Sequence, residues 1–216
     1  TPQIENADIV YASHDFPVKD KDTSDYLGSV LAYRVGANLY ITDCLEKRMA
    51  FVKSVEYVEQ LNDVYAGIIQ VIEDKANGAP VLQQLQDKVP GMQAFQPGAA
   101  SKMQRLESAS LYMNSGNVIF VKTKFDKFTN TYTYTEAMQN LITRLLNFPF
   151  VEHDDIVDAF SMLVLFVFMD RRFMVYGRAF NSDNIIDTKD ISRKNTTIFF
   201  NKEGDVWKAL EIAPLY

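Results

Sequence analysis

Residues Glu152 to Met169 read EHDDIVDAFSMLVLFVFM, an acidic head on an almost wholly apolar body. Asp154 and Asp155 suit the N-cap and first turn of a helix, where unpaired backbone N–H groups and the helix dipole favour negative charge. Asp155 and Asp158 are three apart and share one helical face. Ile156, Val157, Phe160, Leu163, Val164, Val167 and Phe168 would sink the rest of the helix into a core. Anionic side chains held at the mouth of a buried helix suggest a cation site, and the remaining ligands must come from elsewhere in the chain.

Outward from this helix, the preceding segment Glu136–Leu146 reads as a helix ended by Pro149. Ser101–Asn114 is another, with Ser101 as N-cap and Ser115-Gly116 as its stop. Ile9–Phe16 reads as a buried strand ending at Asp15. Tyr26–Val35 and Asn38–Leu45 are β-rich runs joined by Gly36-Ala37, so the first three strands form an antiparallel meander. Ala50–Val64 has helical spacing. Ile68–Ile72 is a short continuous apolar run, the pattern of a strand buried on both faces, and it ends in Glu73-Asp74. Ala79–Lys88 is a helix, Met92–Phe95 and Val118–Val121 are short strands, and Thr196–Asn201 with Val206–Ile212 form a hairpin. Thr1–Ala7 reads as a linker and Asp170–Lys194 as loop or extended chain. The order predicts an α/β architecture with a mixed sheet flanked by helices and a C-terminal hairpin. The expected organisation is a core over residues 1–169 and an extension over 170–216 packed on the same domain.

Composition narrows the function. The 216 residues are 47% hydrophobic and 23% charged, ordinary for a globular protein. The apolar run Phe160–Met169 is far shorter than the roughly 20 residues of a membrane span, so no membrane partner is expected. A single cysteine, Cys44, excludes an internal disulfide and suggests a reducing setting. The net charge of −6 argues against a nucleic-acid binder of the ordinary basic kind, but not against an acidic site neutralised by metal ions. No G-x-x-x-x-G-K-[ST] phosphate loop occurs, so ATP hydrolysis is not encoded. Thr1 in place of an initiator Met suggests a piece of a longer chain.

Asp15 closes the first strand and Glu73 closes the buried strand at Ile68–Ile72. Ligands of an α/β sheet gather at strand ends. With these two strands as central neighbours, Asp15, Glu73, Asp155 and Asp158 converge. Carboxylates at close range repel unless cations share them, and hard oxygen ligands suit magnesium or manganese. Two such ions about 3.5–4 Å apart activate a water and stabilise the leaving oxygen of a phosphodiester.

Four motifs carry a resemblance: SHDF at 13–16 with the downstream Asp25, VIEDKANG at 71–78, PGAASKMQR at 97–105, and FPFVEHDDIVDAF at 148–160. In order, spacing and context the chain from Asp8 to Met169 resembles the nuclease domain of the large terminase subunits of tailed bacteriophages, which has a ribonuclease H-like fold. The resemblance implies a metal-dependent endonuclease that cuts concatemeric double-stranded DNA with two divalent cations, Mg2+ or Mn2+. It makes Asp15 the first metal carboxylate, Glu73 the second and Asp155, with Asp158 close by, the third. Asp25 and Asp74 take supporting places. Lys102 and Arg105 match a basic pair that either meets DNA phosphate or braces the acids. His153 either caps the helix or hydrogen-bonds a ligand, and Asp154 is left to cap. His14 points away from Asp15 by strand alternation and reads as structural. The implied partners are DNA, an ATPase motor domain of the same full-length chain, a small terminase subunit and a portal, in the host cell cytoplasm. Two alternatives stay open: another ribonuclease H-like nuclease, such as a junction resolvase or transposase core, and a catalytically silent docking module of a packaging machine.

Overall fold

The computed structural model describes residues 7, 9–16, 26–74, 79–169, 197–203 and 206–212. The chain begins with β1 (Ile9–Asp15), β2 (Tyr26–Val35) and β3 (Asn38–Arg48), which pair antiparallel as a meander. Then follow α1 (Phe51–Val64), β4 (Ile69–Glu73), α2 (Ala79–Lys88), β5 (Met92–Phe95), α3 (Lys102–Asn114) and β6 (Val118–Phe120). A small hairpin, β7 (Lys124–Asp126) and β8 (Thr131–Thr133), precedes α4 (Glu136–Asn147) and α5 (Asp155–Met169). The strands β9 (Thr197–Glu203) and β10 (Val206–Ile212) pair antiparallel, and their backbones run against α3 and α4.

Six strands form one sheet in the order β5-β4-β1-β2-β3-β6. β4 joins β1 in parallel, β5 joins β4 in parallel and β6 joins β3 in parallel. The antiparallel-then-parallel layout expected from the sequence is the one observed, with β1 and β4 as central neighbours. The small β7–β8 hairpin has no counterpart in the sequence reading. Its strands have three residues each and are largely exposed, too short to show an alternation.

Strand alternation separates the two faces of the sheet. Tyr11, Val30, Ala32, Leu39, Ile41 and Val71 lie in one core with α3, α4 and α5. On the other face Val55 and Val58 of α1 and Leu82 and Leu85 of α2 cover Ile72 and Met92. The whole of α5 from Ile156 to Val167 is buried. A helix apolar all round demands cover on every side, and here the sheet lies beneath it with α3 and α4 alongside. The sequence reading buried one stripe; the structure also encloses Met162, Leu165 and Phe166. Ser161 is tolerated because its hydroxyl donates to the Asp158 carbonyl at 3.1 Å.

α3 shows how local sequence sets an element's start. Ser101 accepts from the Gln104 N–H at 3.2 Å while the Gln104 side chain accepts from the Ser101 N–H at 2.8 Å, a reciprocal capping box. This fixes the entry of α3 and hence the direction in which Lys102 and Arg105 leave it.

Phe160 is fully buried and stacks on Phe120 with ring centroids 5.7 Å apart. Phe160→Ala is expected to lower stability by about 3–5 kcal/mol through lost burial and a residual cavity. The midpoint of urea unfolding measures it.

Candidate active site

One row of the sheet carries the acids. In β1, Tyr11 faces α5 and Ser13 donates its hydroxyl to the Ala159 carbonyl, so Asp15 faces α5 too. Its partner on β2 is Gly28, whose partner on β3 is Glu46. On the other side, continuing the register His14↔Ile72 by one residue places Asp15 beside Glu73. Glu73, Asp15, Gly28 and Glu46 thus form one row across four strands, on the face that α5 covers.

Gly28 is what lets the helix come down onto this row. A Cβ added there would stand 2.3 Å from the Asp155 carbonyl oxygen and 2.7 Å from the Ile156 nitrogen. No other residue leaves space for that approach. The first turn of α5 is therefore seated over the gap between Asp15 and Glu46.

The cations that neutralise these acids come from α3. Arg105, 7% exposed at its side chain, spans Glu73 (Nη1 to Oε1, 3.0 Å) and Asp158 (Nη2 to Oδ1, 2.8 Å). Lys102 lies at the more open side, with Nζ 2.5 Å from Asp158 Oδ2 and 2.7 Å from Asp154 Oδ2. Burial opposes the charge of both basic groups, yet their bonds to the carboxylates outweigh it and hold both proton affinities above the usual range. Of the two roles open to this basic pair, bracing the acids is the one these contacts describe.

Each expected residue has a definite place. Asp155 is partly buried, and burial first, then Asp154 and Glu46, push its carboxyl above the ordinary range against the pull of its own N–H and of Lys102. Asp158, expected to reach a metal, has one oxygen on Arg105 and the other on Lys102, because it is buried one turn deeper where an uncompensated charge is costly. The Asp154 carboxylate lies 2.7 Å from Lys102 Nζ, and its carbonyl accepts the Asp158 N–H at 2.9 Å. His153 stacks on Tyr26, ring centroids 4.2 Å apart, and lies 3.8 Å from Glu152. Asp74 faces away and accepts from Gln96 at 3.3 Å. Asp25 lies outside the described residues.

His14 is buried on the opposite face, between Ser29 Oγ (3.0 Å) and Gln70 Oε1 (2.9 Å). Burial lowers its pKa to about 4, so it is neutral and structural. Two residues escaped the sequence reading. Gly28 sits in an ordinary strand sequence and is revealed only by what lies above it. Glu46, inside LEKR, reads as a solvated strand end, yet its side chain is 3% exposed.

The donor set is all carboxylate oxygen, the chemistry of a hard divalent cation. Among the described residues no three His, Cys, Asp or Glu side chains are drawn together as a metal cage. The physical reason is visible: Arg105 and Lys102 hold Glu73 and Asp158 onto themselves.

No protein-family model matches the sequence, and no curated protein matches it. Solved structures do share its fold. The large terminase nuclease from the thermophilic phage G20c, with bound zinc, is 19% identical over 72% of this chain and 79% of that one, with a TM-score of 0.52. The human cytomegalovirus terminase nuclease domain, soaked with manganese, is 12% identical over 78% and 86%, with a TM-score of 0.50. The chain has the fold of these nuclease domains, the one that its motifs resemble in sequence.

Gly28→Ala is expected to push the first turn of α5 off β2 and to lower stability by roughly 1–3 kcal/mol, read from a thermal melt. Asp155 supplies a pH test. Its raised folded pKa means that the folded state holds the proton more tightly than the unfolded one. Its contribution to stability therefore falls as pH rises from the ordinary carboxylate range through the raised value. In chelator, Asp155→Asn is expected to be more stable than wild type at about pH 7 and to lose that advantage near pH 4.

Proposed function

We propose that this chain is the metal-dependent endonuclease domain of a viral DNA-packaging terminase, hydrolysing the phosphodiester bonds of concatemeric double-stranded DNA with two divalent cations, Mg2+ or Mn2+. The observation that carries the reading is the row Glu73–Asp15 at adjoining ends of the central parallel strands, with Asp155 seated above it through Gly28. Asp15, Glu73 and Asp155 are the proposed cation holders, with Asp158 as the buried anchor that Arg105 and Lys102 keep in place. When bound, the cations would activate a water and stabilise charge on the departing oxygen.

The chain's own residues set the terms for that chemistry. Arg105 pairs with two buried carboxylates and, together with Lys102, offsets the charge of the acids that share this edge. Lys102 is partly exposed at the mouth, where a DNA phosphate can compete with Asp154 and Asp158 for its ammonium group. The likeness to a zinc-bound and a manganese-soaked terminase nuclease supports the choice of cation class. In this reading the core comprises residues 1–169 and the extension 170–216. The ATPase motor of the full-length chain, a small subunit and a portal supply the grip on DNA that a domain of net charge −6 lacks, in the host cell cytoplasm.

The test is nicking of supercoiled plasmid by the purified protein in manganese or magnesium. Cleavage that stops with chelator and falls by roughly two to three orders of magnitude in Asp15→Ala, the size of losing one preorganised electrostatic group, is the expected result. Plasmid that survives the wild type as well as it survives Asp15→Ala overturns the reading.

A further inference from the structure

Glu46 stands at the far end of the acidic row, as far along the strands as Glu73 and Asp15 and on the same face. Its two oxygens are treated unequally. Oε2 accepts from Asn140 Nδ2 at 2.8 Å and Arg144 Nε at 2.9 Å, and Arg144 Nη2 is 2.8 Å away. Oε1 is buried with no hydrogen-bond partner among the described residues. A buried carboxylate oxygen left bare is costly. If Glu46 served only to fasten α4 to β3, its remaining oxygen would be expected to find a donor or face water.

What lies across from it gives the bare oxygen a use. Gly28 separates Asp15 from Glu46 in the row, and the Asp155 backbone presses onto Gly28. Asp155 is therefore flanked by a carboxylate on each side. Glu46 is the cross-strand neighbour of Gly28, so its carboxylate belongs to the residue next to the one that the Asp155 backbone touches. A negative charge so placed favours a cation at Asp155, and a divalent one more strongly.

We propose that Glu46 is a positioning residue of the cation site: Arg144 and Asn140 grip one oxygen and hold the carboxylate in the row beside Gly28, where its negative charge raises the affinity of the Asp15–Asp155 pair for a divalent cation. This rests on the cation-binding reading above. Glu46 is not itself a ligand, because Oε1 is enclosed. Arg144 acts through it in the opposite sense, since it partly neutralises the carboxylate that it holds.

The opposition of sign supplies the test. Manganese binding to the whole chain, without DNA, is measured by calorimetry for wild type, Glu46→Gln and Arg144→Gln, with a thermal melt of each. The expected result is affinity lower on the order of tenfold in Glu46→Gln, and higher than wild type in Arg144→Gln, even though both variants melt earlier. Equal affinity in wild type and Glu46→Gln, or a loss in both variants alike, overturns the proposal and marks Glu46 as a clamp. A failure of Glu46→Gln to fold leaves Arg144→Gln to decide by the sign of its change. Wild type that binds no manganese overturns this proposal and the nuclease reading together, whereas tight wild-type binding with an indifferent Glu46→Gln overturns this one alone.

Discussion

The contact between the first turn of α5 and Gly28 organises the rest of the molecule. A helix backbone can approach a sheet this closely only where the strand offers no side chain. The approach brings Asp155 over the row of acids, sets Asp158 one turn deeper opposite α3, and begins a buried helix whose twelve residues from Ile156 to Val167 fill the space between sheet and helices. The apolar body of α5 supplies the burial that holds the contact closed. The acidic head is thus placed by hydrophobic packing, not by attraction between the charges, which on their own would separate.

That separation is prevented by two basic side chains from one helix turn. Arg105 and Lys102, three apart on α3, meet Glu73, Asp158 and Asp154 from the same side. A planar guanidinium suits the inner position because it donates along two directions at once and stays charged when buried. An ammonium on a flexible stem suits the outer one, where it stays partly exposed. The acids at the strand ends therefore have fixed cations at the α3 side, Arg105 within and Lys102 at the more open margin.

Net charge says little about such a site. The chain is acidic overall, and the interaction that matters is local, between groups a few ångströms apart in a partly buried setting where screening by salt is weak. Glu46 illustrates the point. In sequence it is one of 28 acids; in the fold its burial, its one-sided grip by Arg144 and its place in the row distinguish it from a solvated strand end.

The sequence by itself determined the elements and much of their order. Apolar runs closed by Asp15 and Glu73, the Ser101 capping signal and the acidic head of EHDDIVDAF are local patterns, and local patterns survive without tertiary knowledge. The motifs even pointed to the fold. Only the tertiary structure decided partnership: that Arg105 spans Glu73 and Asp158, that Lys102 meets Asp154 and Asp158, that Gly28 is a seat for α5, and that Glu46 belongs to the acidic row. These depend on register between strands and on the approach of a helix from more than a hundred residues away. Alternation says which face a side chain takes, but not what will stand opposite it. For charged groups the opposite partner decides the energy, because burial makes an unpaired charge costly and a paired one tolerable.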